Sequence, residues 1–149
     1  MAAITDYWRG AYRVAVGGYW LYFASTKWTG LDWTRGVIHD AAAASPVPGL
    51  RQVLVDAVVP NWYAFSLAQT AGETLVAVLL ILGLATRTAG VLGTLLALGL
   101  ALALSFAVTD VGFRWLYYLG VLVNLDLVLI GPGRLALQHA RFVPAWLRW

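Results

Sequence analysis

Apolar residues in this chain gather into four runs separated by short polar breaks. The first, 11–27, is closed by Lys27-Trp28; the second, 62–85, carries one ionisable side chain, Glu73; the third, 88–108, carries none. The fourth, 115–131, holds Asn124 and Asp126 and stops at Gly131-Pro132-Gly133, where a helix cannot continue. Runs of this length match the hydrocarbon core of a bilayer, and without water to satisfy the backbone they must be helices. The first run is the shortest, and it spans with Arg13 and Lys27 snorkelling outward to the head groups. Only Thr86-Arg87-Thr88 separates the second run from the third, which predicts a tight antiparallel hairpin with Arg87 as a structural residue at its turn. The pattern therefore predicts an all-α integral membrane protein, a four-transmembrane-helix bundle forming a single domain over 1–149.

Between the first two runs, residues 29–61 are neither apolar enough to cross nor polar enough to stay unfolded. Val37, Ile38, Ala41 and Ala42, then Leu50, Val53, Leu54 and Ala57, recur at helical spacing around Ser45-Pro46-Val47-Pro48-Gly49. Two short helices lying over the outer face are expected. The tail, 135–149, mixes Leu137, Phe142, Trp146 and Leu147 with Gln138, His139 and Arg141, and reads as an interfacial segment interrupted by Pro144. Small residues three or four apart (Ala68 and Gly72, Gly90 and Gly93, Gly99 and Ala103) permit close helix contact.

Composition agrees with lipid as the solvent: 61% of residues are hydrophobic and 11% charged, where soluble domains carry about 25% charged residues. The net charge of +3 comes from Lys and Arg scattered singly, without the basic stripe that nucleic acid requires. Their distribution sets topology instead. Arg9, Arg13, Arg87, Arg134, Arg141 and Arg148 share one side with a single acid, Asp6, whereas Lys27, Arg35, Arg51 and Arg114 on the other side are offset by Asp32, Asp40, Asp56 and Asp110. Both termini are thus expected in the cytoplasm of a multi-pass plasma-membrane protein, with no cleaved signal peptide. Trp8, Trp146 and Trp149 fall at the inner boundary and Trp28, Trp33, Trp62 and Trp115 at the outer one, leaving Trp20 as the exception.

The chain has no cysteine, which excludes disulfides and thiolate metal sites. His39 and His139 lie on opposite sides, so no haem or metal site is expected, and electrons for any redox reaction must come from partner subunits or a diffusible carrier. Glu73 is the most informative residue. An acid about 12 Å into the outer half of a membrane faces a partner, a cavity or a pathway, and Lys27 lies within reach of it. Glu73 is either a proton acceptor at a lipophilic-substrate site or half of a structural Glu–Lys pair. Arg13 and Asp126 fall at similar depth and are expected to form a structural ion pair. Asn124, near mid-membrane, suits a hydrogen bond between helices. The rings of Tyr19, Trp20, Tyr22 and Phe23 suit packing first and stacking on a quinone second. Trp20, Lys27, Glu73 and Asn124 together make the candidate quinone site.

These residues carry a resemblance. Arg13 and Gly17 with Lys27 closing the first span, the stretch from Glu73 through Gly83 to Thr86-Arg87, and Gly131-Pro132-Gly133-Arg134 after the fourth span are similar to the DoxX family, which includes the DoxD small subunit of thiosulfate:quinone oxidoreductase. Ala136 and Gln138 stand where family members commonly carry serine and an acid. The resemblance implies a four-helix membrane subunit of a quinone-linked oxidoreductase complex, with other membrane subunits as partners and at most a share in catalysis. The other reading is a non-catalytic accessory subunit that anchors such a complex. Solute transport is disfavoured by the lack of inverted repeats or interrupted helices.

Overall fold

The computed structural model describes residues 2–148, which form helices and no strand. Six α-helices follow in order: α1 Ala2–Trp28, α2 Asp32–Ala44, α3 Pro48–Val53, α4 Trp62–Leu82, α5 Thr86–Leu104 and α6 Val111–Ile130. One π turn, Leu54–Val58, prolongs α3, and two single 3₁₀ turns, Leu137–His139 and Ala145–Leu147, make up the tail.

Among the described residues α4, α5 and α6 are the helices both long and apolar enough to cross a membrane. Their outward faces carry Leu75, Val78, Leu95, Leu102, Leu122 and Leu129, all exposed. A helix apolar on every side needs lipid or protein around it, and here lipid is the surrounding that fits. α1 has 27 residues, about 40 Å of helix, but Asp6, Arg9, Arg13 and Lys27 dilute its apolar stretch.

Packing is pairwise. α1 lies along α4 and α5 along α6; the α4–α5 hairpin joins the two pairs, while α1 and α6 scarcely meet. Small residues decide how close each pair comes. A Cβ on Gly17 would stand 2.8 Å from Ile81, so glycine is what lets α1 approach α4. Gly90 lies equally close to the α6 backbone, whereas Gly99 faces open space and joins nothing. The core between the pairs is Val16 and Trp20 of α1 with Val76, Ala77, Leu80, Ala89, Ala97 and Leu127.

The hairpin turn falls three residues earlier than expected. α4 stops at Leu82 because Gly83 adopts φ +68°, and the Leu84 N–H then bonds back to the Leu79 carbonyl at 2.9 Å, closing the helix end. Ala85 follows with φ +43°, a conformation that costs a non-glycine residue about 1–2 kcal/mol. Its N–H is held by the Leu147 carbonyl at 2.7 Å, so the tail stabilises the turn.

One end of the bundle, the loop end, is crossed by α2 and α3. α2 packs on α4 and α5, with the buried Thr34 and Ser66 hydroxyls 2.7 Å apart. Two short helices separated at Ser45–Val47 thus form here, and α2 is the one that packs on the spans, with α3 resting against α2. At the opposite end, the tail end, the segment expected at the interface is docked on the bundle. Residues 131–148 fold back against the bundle: Gln138 N–H bonds Gly83 O at 3.0 Å and Arg134 N–H bonds Asp6 O at 3.3 Å. Leu135, Leu137, Phe142 and Trp146 are turned out as large exposed apolar groups. Trp8, Trp28, Trp33, Trp115 and Trp146 are exposed and Trp20 is buried; Trp149 lies outside the described residues.

Candidate functional site

Because α1 and α6 part, the bundle keeps a cavity of about 680 Å³ between them, continued by α5 and roofed by Trp33 and Val37 of α2. Its walls are mostly rings and aliphatic chains, including Tyr19, Phe23 and Tyr117. The polar groups are few. Trp20, Lys27, Glu73 and Asn124 all line this one space, although they come from three different helices. Tyr19 and Phe23 pack with ring centroids 4.9 Å apart and planes tilted by 57°. Tyr22, their sequence neighbour, points outward and is 65% exposed.

Two hydrogen bonds stitch α1 to α6 beside the cavity. Trp20 Nε1–H donates to Asn124 Oδ1 at 2.9 Å, and the Tyr12 hydroxyl donates to the Val123 carbonyl at 3.2 Å. Asn124 Nδ2 donates to the Gly120 carbonyl at 2.7 Å, so both ends of this fully buried amide are engaged. Its room is made by α5: a Cβ on Gly93 would land on Asn124 Oδ1. Interhelical bonds of this kind are worth roughly 0.6–2 kcal/mol in bilayers.

Nearer the loop end, Lys27 Nζ donates to Glu73 Oε1. Lys27 therefore turns inward, against the expectation of outward snorkelling, because a buried carboxylate attracts it more than water does. Glu73 is wholly buried and is the twelfth of the 21 residues of α4, about 17 Å along the helix. Gln69, one turn earlier, donates Nε2–H to the same oxygen at 3.0 Å. Glu73 Oε2 is buried without a hydrogen-bond partner.

The expected Arg13–Asp126 ion pair is not formed. Arg13 is fully buried, and its guanidinium donates to four backbone carbonyls: Leu80 and Ile81 at the end of α4, Pro132 at 3.1 Å and Leu135 at 3.1 Å. The last carbonyls of a helix lack intrahelical partners and carry the negative end of its dipole, so they attract this cation without a counter-acid. Asp126 is exposed on α6 beside Tyr12. Among the described residues the ion pairs are Lys27–Glu73 and the exposed Asp6–Arg9. Arg87 is exposed in the first turn of α5, and its buried neighbour Thr86 is the residue that joins the tail.

Gln138 was not expected to be structural. It is buried; Oε1 accepts from the Thr86 N–H at 3.2 Å and the Thr86 hydroxyl at 3.0 Å, and Nε2–H donates to the Arg148 carbonyl at 2.7 Å. An acid here would accept the same two bonds at the N-terminus of α5. Gln69 was also missed, although its position four residues before Glu73 was a readable signal. His39 and His139 are exposed, on α2 at the loop end and in the tail, respectively. Compared with family models, with curated proteins and with solved structures, the chain matches none.

Proposed function

We propose that this protein is a four-span membrane subunit of a quinone-linked oxidoreductase complex, and that the cavity between α1 and α6 receives the head group of a quinone. The observation that carries the reading is a buried ion pair, Lys27–Glu73, at the edge of an aromatic-walled cavity in an otherwise apolar bundle. Intramembrane charges are costly and mark sites where a polar group must be met in lipid. A space of about 680 Å³ accommodates a substituted ring and the first part of its chain. The seam between α1 and α6 offers the rest of the chain an exit to the bilayer.

α1 is the fourth span. It runs antiparallel to α4, with Arg13 beside Leu80 and Ile81 and Lys27 beside Glu73, and these two cations, one near mid-helix and one in the last turn, are both buried and matched within the bundle. The excess of arginine at the tail end supports a cytoplasmic tail end and an outer loop end. The motif residues shared with the DoxX family favour an oxidoreductase complex as the setting, with partner subunits exchanging the electrons.

A quinone in the cavity supplies a couple that carries two electrons and two protons. The chain's own residues position it. Tyr19 and Phe23 offer a face for stacking, Lys27 fixes the orientation of Glu73, and Glu73 takes up or returns a proton at the head group. The test is Glu73→Gln in the intact complex, which keeps side-chain shape and removes the titratable proton. Assembly should persist while quinone-linked turnover falls ~10²-fold or more, the scale of a positioned acid–base group. Full assembly with unchanged turnover sinks the catalytic role and leaves an anchoring subunit.

A further inference from the structure

Glu73 receives two hydrogen bonds, from Lys27 and Gln69, and both fall on Oε1. Oε2 is equally buried and receives none. A carboxylate oxygen only accepts, so what Oε2 lacks is a donor, and leaving a charged acceptor unmatched in a low-dielectric interior is costly. The residues around the cavity do not provide that donor. The single N–H of the Trp20 ring is spent on Asn124, the Asn124 amide is spent on Gly120, and the Tyr19 and Tyr117 hydroxyls, which also line the cavity, make no hydrogen bond to Oε2.

We infer that the cavity recognises its occupant by a hydroxyl that the occupant donates to Glu73 Oε2, and so binds the reduced, hydroxyl-bearing form of a quinone in preference to the oxidised form. The inference rests on the proposed lipophilic site and adds its polarity. A hydroxyl donates to Oε2 and can accept, at the same time, one of the remaining Lys27 ammonium protons. A quinone carbonyl can accept from Lys27, but it has nothing to donate and sets a second negative oxygen against Oε2. An ether oxygen on the same ring shares that defect. The relevant class is therefore a ring with a free hydroxyl on an apolar chain: a quinol, or a phenol of similar build.

The experiment uses the purified protein in phosphatidylcholine nanodiscs, without oxygen, titrated with three probes: a decyl-substituted benzoquinol, the corresponding benzoquinone, and the dimethyl ether of the quinol. Tryptophan fluorescence and calorimetry report binding. The quinol should bind about tenfold or more tightly than either other probe, the usual worth of one hydrogen bond to a charged acceptor. In the Lys27→Met, Glu73→Leu double variant the three affinities should converge while apolar binding persists. If that variant does not assemble, the quinol-to-ether ratio of the unaltered protein decides alone. Equal affinities, or a preference for the quinone, overturn the donor requirement and leave the cavity as a lipophile site. Failure of all three probes to bind overturns the cavity assignment beneath it.

Discussion

The two ends of the bundle treat buried charge in opposite ways. Arg13 and Lys27 sit on the same helix, fourteen residues and about 21 Å apart, and both are buried. Arg13 reaches four carbonyls from α4 and the segment after α6, so at the tail end the charge is spent on holding three parts of the chain together. Lys27 meets a single carboxylate, and one oxygen of that carboxylate is still unmatched. A buried cation surrounded by matched acceptors is a fastener. A buried pair with an unmatched atom at the edge of a cavity still has a hydrogen bond to make. The difference lies in what surrounds each charge, since the two side chains share a helix, a sign and a degree of burial.

This contrast can be broken most decisively at Arg13. Arg13→Met removes the donor from the Ile81, Pro132 and Leu135 carbonyls and leaves Leu80 with the Gly83 N–H alone, at about 1–3 kcal/mol for each carbonyl that stays dry and unpaired. Thermal unfolding in detergent should show a loss of about 3 kcal/mol or more. Arg13→Lys should restore less than half, because a point ammonium cannot replace a planar fork. A lysine variant as stable as the parent would mean that charge alone matters at the tail end. At the loop end the sign of the double substitution is the sharper measure. Lys27→Met and Glu73→Leu should each destabilise, while the double variant should recover about 1–3 kcal/mol relative to their sum, since an apolar pair replaces a buried ion pair at little cost. Strict additivity would show that the two groups do not depend on each other. The smallest effect belongs to Asp126. Asp126→Asn should change the unfolding midpoint by less than about 0.5 kcal/mol equivalent, and its effect should add to that of Arg13→Met; coupling between them would restore the ion pair that the geometry denies.

The helices were legible where apolar length spoke for itself, as in α4, α5 and α6, and where spacing did, as in α2 and α3. The meeting of Lys27 with Glu73 was legible too, because a lone acid and a lone base in two apolar runs leave each other few alternatives. The partners of Arg13 were not. Every residue owns a carbonyl, so a cation that binds backbone leaves no mark at the positions it binds, and Asp126 was the visible but wrong partner. The Trp20–Asn124 bond joins residues 104 apart, and it depends on Gly93 on a third helix to make room for the amide. No local pattern carries such a three-way arrangement. The tail misled for a related reason. Its alternation of apolar and basic residues describes an interfacial helix, but Pro144 and the turn at Gly131 to Gly133 bring it back to satisfy the Ala85 N–H and the Thr86 hydroxyl.

The docking of that tail also has a meaning in time. A ribosome makes Gly83, Ala85 and Thr86 more than fifty residues before Gln138 and Leu147, the residues that hold them. The α4–α5 hairpin must therefore enter the membrane with its turn unsecured, the strained Ala85 included, and wait while α6 is synthesised. Until then Arg13 lacks two of its four acceptors, those from Pro132 and Leu135. The segment that follows α6 thus completes the first helix and the central turn together. A chain stalled or clipped before this segment leaves the tail end of the bundle unfinished, with Arg13 short of two acceptors and the Ala85 N–H unpaired.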